Sequence, residues 1–323
     1  MENTEFDVIE KYFSPLGQWS LGHTLVGPGD DCAVVQMPDS RQLCISTDTL
    51  INGVHFPEGA TGQMVARRSI AAALSDLAAM GATPFGMTGA LTLVQVSAPW
   101  LKALSAEIGD LIKQWQVPLL GGNLCQGNEL SITWTVMGLV NPGEFLLRSG
   151  AQLDDDIYIS GYPGRAGYAL DCLLQRRDVT ASLAKHYSQP TPRLELGEAI
   201  NDLAHSAIDV SDGLLADLQH LLTASRVGAR IDLAALSADA QLVAACGVAD
   251  SVRFALTAGD DYEVCFTADP DQRKALELIS RRLQLPLIRI GRVIEPQGVE
   301  FENTPGDLDT TLLAKHAGYR HFY

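Results

Sequence analysis

The sequence is poor in basic residues and has no uninterrupted long apolar run. Only six lysines occur among 323 residues, and the formal net charge is -16 at pH 7. An acidic surface of this kind disfavours nucleic acid and anionic membranes as partners, because neither is attracted to it. The longest apolar region, residues 70–96, is interrupted by Asp76, several glycines and Pro84, so no membrane span is predicted.

Several familiar catalytic motifs are also missing. The chain has no G-x-x-x-x-G-K-[ST] segment, which excludes a P-loop nucleotide enzyme, and it lacks the glycine-rich loop and H-R-D set of protein kinases. No Ser/His/Asp or Cys/His arrangement follows from the spacing of these residues. Nucleophilic hydrolysis therefore has no support from the sequence.

The six cysteines form no C-x-x-C pair, and most of them lie in apolar runs, where a free thiol behaves as a small core residue. Neither a disulfide framework nor a zinc site is expected. Residues 1–13 are acidic and amphipathic, and they lack the basic start and apolar stretch of a signal peptide. Together these features predict a cytoplasmic protein with reduced thiols.

Acidic segments are what the sequence has in abundance. Five of them follow or interrupt apolar runs and contain almost no Lys or Arg: Gly29-Asp30-Asp31, Ser46-Thr47-Asp48, Ser75-Asp76, Asp209-Val210-Ser211-Asp212-Gly213 and Gly259-Asp260-Asp261. Each segment alone is compatible with an ordinary turn or helix cap. A fold that gathers all five would suffer like-charge repulsion unless a cation lay among them. Hard oxygen ligands favour magnesium over zinc, which indicates an enzyme that handles polyphosphate.

Two acidic positions are informative by themselves. The apolar strand Leu43–Ile45 delivers Thr47 and Asp48 together at its carboxyl end, where α/β proteins usually bind ligands. Asp76 lies in an otherwise apolar helical stretch, 71–80, and a buried carboxylate there must be paired, hydrogen-bonded or bound to a metal. Metal binding and a satisfied core aspartate both remain open for Asp76.

Candidates for phosphate recognition are weaker. Gly121-Gly122-Asn123 follows an apolar strand and has the composition to present backbone N–H groups to an anion. Arg148 is a candidate phosphate clamp, although a solvated loop arginine is the commoner outcome. The glycine-rich turn 161–167 is equally well explained as a tight turn, and a lone histidine such as His55 is more often structural than catalytic.

The order of apolar and amphipathic runs predicts an α/β protein, layered in α+β fashion, with two domains at 1–148 and 149–323. The polar, turn-like segment 148–156 marks the boundary. In the first half, Leu43–Thr47 is predicted as a strand and Thr61–Met80 as a helix. In the second half, Arg253–Thr257 is predicted as a strand.

The acidic segments also carry a family resemblance. Together with Gly53-Val54-His55-Phe56, Gly121-Gly122-Asn123, Arg148-Ser149-Gly150-Ala151 and Gly318-Tyr319, they resemble the successive signatures of thiamine-monophosphate kinases in order and spacing. The resemblance implies ATP-dependent phosphorylation of thiamine monophosphate to thiamine diphosphate. It also implies a homodimer formed through the N-terminal sheet, with ATP and several Mg²⁺ ions in a cleft between the two domains.

Site residues follow from the resemblance by position. Magnesium ligands would be Asp30, Ser46, Thr47, Asp48, Asp76, Asn123, Asp209 and Asp212. ATP contacts would be Gly121, Gly122, Asn123, Arg148 and Ser211, and the thiamine moiety would be held by His55, Glu263 and Tyr319. No catalytic nucleophile is implied. The roles of Asp31, Asp260 and Asp261 stay open.

One position departs from the family pattern. Asn123 stands where the family usually carries a magnesium-binding Asp, and Leu124-Cys125-Gln126 replaces its usual Thr-Thr-Arg. Asn keeps a carbonyl oxygen for coordination but removes one negative charge, so metal affinity should fall without vanishing. Two alternatives remain open on sequence alone: a related ATP-dependent enzyme with another acceptor, and a non-catalytic nucleotide-binding homologue.

Overall fold

The computed structural model describes residues 24–26, 30–37, 40–95, 97–295, 297–306, 308–309, 313 and 318. Within these ranges, two six-stranded sheets are each accompanied by helices, and the predicted two-domain α/β architecture is confirmed. None of the described helices is both long enough and apolar enough to cross a lipid bilayer. The predicted boundary at 148/149 falls in the segment between the two sheets and stays a prediction.

The first sheet has the strand order β1-β2-β3-β6-β4-β5. Its strands are β1 Thr24–Val26, β2 Ala33–Gln36, β3 Gln42–Ile51, β4 Thr83–Leu93, β5 Leu119–Gln126 and β6 Ser131–Val140. Only β4 and β5 pair in parallel, and they are joined through helix α2 Ala98–Gln114, as a parallel connection requires. Helix α1 Gly62–Ala79 joins β3 to β4. β5 is the edge strand at one side.

The second sheet has the order β12-β9-β11-β7-β10-β8, and only β12 and β9 pair in parallel. Its strands are β7 Asp156–Ser160, β8 Ala204–Val210, β9 Gly228–Asp232, β10 Glu263–Ala268, β11 Leu287–Ile294 and β12 Gly298–Glu302. Its helices are α3 Arg165–Leu174, α4 Ala181–Ser188, α5 Leu194–Ile200, α6 Leu214–Ser225, α7 Ala240–Cys246, α8 Val248–Thr257 and α9 Arg273–Leu283.

Helix α1 packs between the two domains. Its N-cap is Thr61, whose hydroxyl accepts a hydrogen bond from the Met64 N–H at 3.2 Å. The helix contacts β3 and β6 on one side and α5, β8 and β10 on the other, so almost every side chain on it is buried. Small alanines allow the close approach. At Gly197 of α5, a Cβ would lie 2.0 Å from the Ala78 carbonyl oxygen, so only glycine fits there.

Three local expectations were wrong. Strand β3 continues to Ile51 because its backbone pairs with the whole of β6, so Asp48 lies within the strand and opposite Trp134. Gly121-Gly122-Asn123 lies inside β5, paired with β4, and does not follow a strand. The segment Arg253–Thr257 is the end of α8, whose apolar positions at 252, 255 and 256 have helical spacing that a five-residue window does not reveal.

Candidate active site

A cavity of about 510 Å³ lies between the two domains. The first domain contributes polar residues of β3 and α1, and the second contributes the loops after β8 and α8. Its lining includes Thr47, Asp48, Val54, His55, Asp76, Leu170, Leu174, Asp209, Ser211, Asp212, Asp260 and Tyr262. Four of the five acidic segments in the sequence therefore meet at one cavity.

Three carboxylates converge beside this cavity. Oxygens of Asp31, Asp76 and Asp209 lie within 4.8 Å of one another, although the residues come from three different segments. Burial raises the pKa of Asp76 well above its usual value, and the charges of Asp209, Asp31 and Asp48 raise it further. Burial, with Asp31 nearby, also raises the pKa of Asp209 to about 7. These carboxylates are arranged at an energetic cost in the absence of a cation.

Two serines hold the cluster in place. Ser46 of β3 donates to Asp76 Oδ2 at 2.5 Å, and Ser75 of α1 donates to Asp209 Oδ2 at 2.6 Å. Neutral donors leave the negative charge of each carboxylate uncancelled. The cluster therefore keeps its shape without losing its capacity to bind a cation.

The residues present fit a magnesium ion. Asp31 Oδ2 is buried and has no hydrogen-bond partner among the described residues, which leaves an oxygen for coordination. Carboxylate and hydroxyl oxygens are the donors that Mg²⁺ prefers, and no His or Cys belongs to this cluster. The family resemblance predicts Asp76 and Asp209 as ligands, whereas it leaves the role of Asp31 open.

Arg148 and Asp30 occupy the other side of Asp31. The Arg148 guanidinium pairs with Asp31 Oδ1 through Nη2 at 2.5 Å, and the Arg148 backbone N–H donates to Asp30 Oδ2 at 3.3 Å. Burial and the charge of Asp31 raise the pKa of Asp30 to about 6. Neither Arg148 nor Asp30 belongs to the cavity lining, and a contact of Arg148 with ATP stays a prediction.

Asp217 organises the loop that follows β8 and carries Asp212. One of its oxygens, Oδ2, accepts hydrogen bonds from the backbone N–H groups of Ser211, Asp212 and Gly213, each at 3.1 Å. These contacts fix the backbone of residues 211–213, and Asp212 of this loop lines the cavity. Asp217 is not among the residues predicted from the sequence, although an acidic residue in the first turn of a helix is a recognisable signal.

His55 lies in the wall of the same cavity, and its contact with thiamine stays a prediction. Its Nδ1 accepts a hydrogen bond from the Ile51 N–H at 3.0 Å, so this ring nitrogen acts as an acceptor. The imidazole lines the cavity together with the exposed Val54. Thr47 also lines it, and its hydroxyl lies 3.0 Å from that of Thr135 on β6.

Four further expected site residues lie outside the cavity lining. Gly121, Gly122 and Asn123 lie on exposed β5, three strands away from Asp48 and separated from it by about 14 Å along the sheet. Glu263 is buried and paired with Arg193, with Arg193 Nε 2.6 Å from Glu263 Oε2, and it does not line the cavity. Its contact with thiamine stays a prediction that this arrangement does not support. Tyr319 lies outside the described residues.

Comparison with known proteins decides the family. The sequence model of one protein family, AIR synthase related protein, N-terminal domain, matches residues 29–140. The family model of the corresponding C-terminal domain matches residues 171–302. The thiamine-monophosphate kinase of Escherichia coli K12 is 40% identical over 326 residues, covering 98% of each chain. The chain belongs to the thiamine-monophosphate kinase family. The enzyme of Haemophilus influenzae is similar too, with 36% identity over 323 residues and 98% of both chains covered.

Solved structures agree with this membership. The thiamine-monophosphate kinase of Stenotrophomonas maltophilia is 40% identical, with a TM-score of 0.79, and the match covers 94% of this chain and 98% of that one. A structure described as AaThiL complexed with AMPPCP and TMP is 25% identical, with a TM-score of 0.84 and coverage of 99% and 97%. The two-domain α/β fold and the enzyme class, a thiamine-phosphate kinase, were both expected from the sequence and are confirmed.

Proposed function

We propose that this chain transfers the γ-phosphoryl group of ATP to thiamine monophosphate and so produces thiamine diphosphate. The observation that carries the proposal is the convergence of Asp31, Asp76 and Asp209 at a cavity that also contains His55. Family membership supports it, and so does the related structure described as complexed with AMPPCP and TMP.

Direct in-line transfer requires little from the protein beyond positioning and charge neutralisation. The acceptor is a phosphate that is already anionic at pH 7, so no hydroxyl proton has to be removed and no general base is needed. Asp31, Asp76 and Asp209 would hold magnesium, with Asp48 and Asp212 beside them. The bound magnesium would offset the repulsion between the negative charges of ATP and thiamine monophosphate. Ser46 and Ser75 keep the carboxylates oriented, and the Asp217 contacts fix the loop that carries Asp212.

The protein is proposed to act as a homodimer through the edge strand β5. All eight residues of β5 are exposed, and Leu120 and Leu124 are 55% and 62% exposed. An exposed apolar edge strand is usually covered by a partner. Since Gly121, Gly122 and Asn123 lie far from Asp48 within one chain, we infer that β5 reaches the nucleotide of the other subunit.

An assay of the purified protein tests the proposal. With ATP and Mg²⁺, release of ADP should depend on added thiamine monophosphate, and thiamine diphosphate should accumulate in equal amount. Asp48→Ala and Asp212→Ala should abolish transfer without unfolding the protein, whereas Asp250→Ala, at an exposed surface ion pair, should keep full activity. ADP release without dependence on this acceptor would contradict the proposal. A phosphorylated enzyme that survives a chase would contradict direct transfer.

A further inference from the structure

Arg68 of α1 is fully buried at the boundary of the two domains, and its guanidinium joins three separate segments. Nη2 lies 2.6 Å from Asp260 Oδ1 and donates to the His55 carbonyl oxygen at 2.8 Å. Nη1 donates to the Tyr187 carbonyl oxygen at 2.7 Å, and the guanidinium carbon lies 3.9 Å from the centre of the Tyr187 ring. A fully buried side chain cannot itself meet a ligand, so Arg68 acts through the residues that it holds.

Two of these residues belong to the cavity wall. His55 and Asp260 both line the cavity, one from each domain. The backbone of this loop lies in the left-handed region, with φ of +69° at Asp260 and +51° at Tyr262, and residues other than glycine adopt this region uncommonly. Such backbone persists only where surrounding contacts enforce it. Here Asp260 Oδ1 accepts hydrogen bonds from the Arg68 guanidinium and from the Tyr262 hydroxyl, and the second of these bonds is 3.0 Å long.

The wall that Arg68 holds differs in character from the wall that carries the acidic cluster. Val54 and His55 lie on the segment that Arg68 holds, and Leu170 and Leu174 of α3 also line the cavity, so this part of the lining has apolar and ring surface. An organic ring system is expected to prefer this surface, whereas a metal-bound triphosphate is expected to prefer the acidic one. The acidic cluster is held by Ser46 and Ser75 and receives no hydrogen bond from Arg68.

We propose that Arg68 is a positioning residue for the acceptor side of the cavity. It fastens the segment 51–56 of the first domain to the loop 258–262 of the second, and thereby sets the wall on which the thiamine ring system binds. The identity of this ligand rests on the proposed function. Loss of Arg68 should weaken acceptor binding and leave nucleotide binding nearly unchanged.

Replacement of Arg68 tests the proposal against a neighbour on the same helix. Arg68→Met should raise the KM for thiamine monophosphate by about 10- to 100-fold, as expected for loss of several charge-assisted hydrogen bonds. Its Kd for an unreactive ATP analogue with Mg²⁺ should stay within about twofold of the wild-type value. Arg67→Met, which removes a half-buried pair with Glu107 of α2 outside the cavity lining, should change neither quantity. Equal losses for both substrates, or no change in the KM of the acceptor, would overturn the proposal.

Arg68→Lys separates positioning from stability. Lysine keeps the charge beside Asp260 but lacks the planar fork that reaches three segments, so it should recover stability more fully than acceptor KM. Full recovery of both would show that charge alone matters and would overturn the positioning role. If neither variant folds, Asp260→Asn decides, because it weakens the same link and must also raise the acceptor KM. An unchanged KM in Asp260→Asn would then refute the proposal.

Hydrogen exchange of the substrate-free protein tests the link independently of the reaction. Amides in 51–56 and 258–262 should exchange faster together in Arg68→Met, while strand β6 should not change. If wild-type protein fails to use thiamine monophosphate, the proposed function is wrong, and this exchange result still tests the structural link. Unchanged exchange in both segments would refute it.

Discussion

The Ser75 hydroxyl donates a hydrogen bond of 2.6 Å to Asp209 Oδ2, across 134 residues of sequence and between the two domains. The next residue on α1 is Asp76, and its carboxylate lies in the same cluster as that of Asp209. One buried contact therefore both fastens α1 to β8 and sets the spacing of two carboxylates that would bind metal.

The first prediction concerns this contact. Ser75→Ala should lower the free energy of unfolding in EDTA by about 1 to 3 kcal/mol, because a buried carboxylate loses a donor. Denaturant titration measures the change. Ser105→Ala is the matched control, since Ser105 makes the same i−3 backbone contact on α2 without a carboxylate, and it should have little effect. Equal effects of both substitutions would contradict the prediction.

The raised pKa of Asp209, about 7, predicts how the stability of the metal-free protein depends on pH. The native carboxyl binds its proton more tightly than the unfolded chain does, so its contribution is greatest below pH 4 and is lost as pH rises towards 7. The slope is at most about 1.4 kcal/mol per pH unit. Thermal unfolding in EDTA should show this fall, and Asp209→Asn should reduce it. A slope that is identical in the variant would refute the assignment.

The pair of Arg148 with Asp31 supplies a third prediction. Arg148→Met leaves Asp31 buried among carboxylates without its cationic partner, and should cost about 3 to 5 kcal/mol of unfolding free energy in EDTA. Added Mg²⁺ should restore part of the loss. Arg253→Met, at an exposed pair, should change stability little. A loss that Mg²⁺ does not reduce would argue against a cation site at this cluster.

Asn123 gives a prediction about metal dependence. Asn123→Asp restores one negative charge and should lower the Mg²⁺ concentration for half-maximal activity by about tenfold, the equivalent of about 1.4 kcal/mol. Asn128→Asp makes the same charge change at an exposed turn and should leave the titration unchanged. A metal titration of Asn123→Asp that matches wild type would show that Asn123 does not affect Mg²⁺ binding and would contradict this prediction.

The exposed edge of β5 predicts the assembly state. Leu124→Glu places a charge on the proposed dimer surface and should shift sedimentation towards monomer. Leu278→Glu on α9 is the control, because Leu278 is 65% exposed on the other domain and should not matter. If wild type sediments as a monomer, or if both variants stay dimeric, the proposed surface is wrong.

Composition and local pattern were enough to predict the fold class, the helix around Asp76 and the acidic segments that meet at the cavity. Hydrophobic periodicity encodes the helix and the fold class, and the acidic segments are visible as residue types, although their meeting at one cavity is not. Periodicity failed where pairing partners decide the outcome: β3 runs past Asp48 because β6 extends alongside it. Localisation in the cytoplasm remains a prediction from the sequence.

The sequence by itself determined which chemical groups the protein possesses: many oxygen ligands, few cations and no nucleophilic motif. Only the tertiary structure decided that Asp31 joins Asp76 and Asp209, that Arg148 pairs with Asp31, and that Arg68 is buried against Asp260. Neighbours so distant along the chain are selected by the packing of α1 between two sheets. Burial and charge pairing are properties of that packing, and no local window of the sequence contains them.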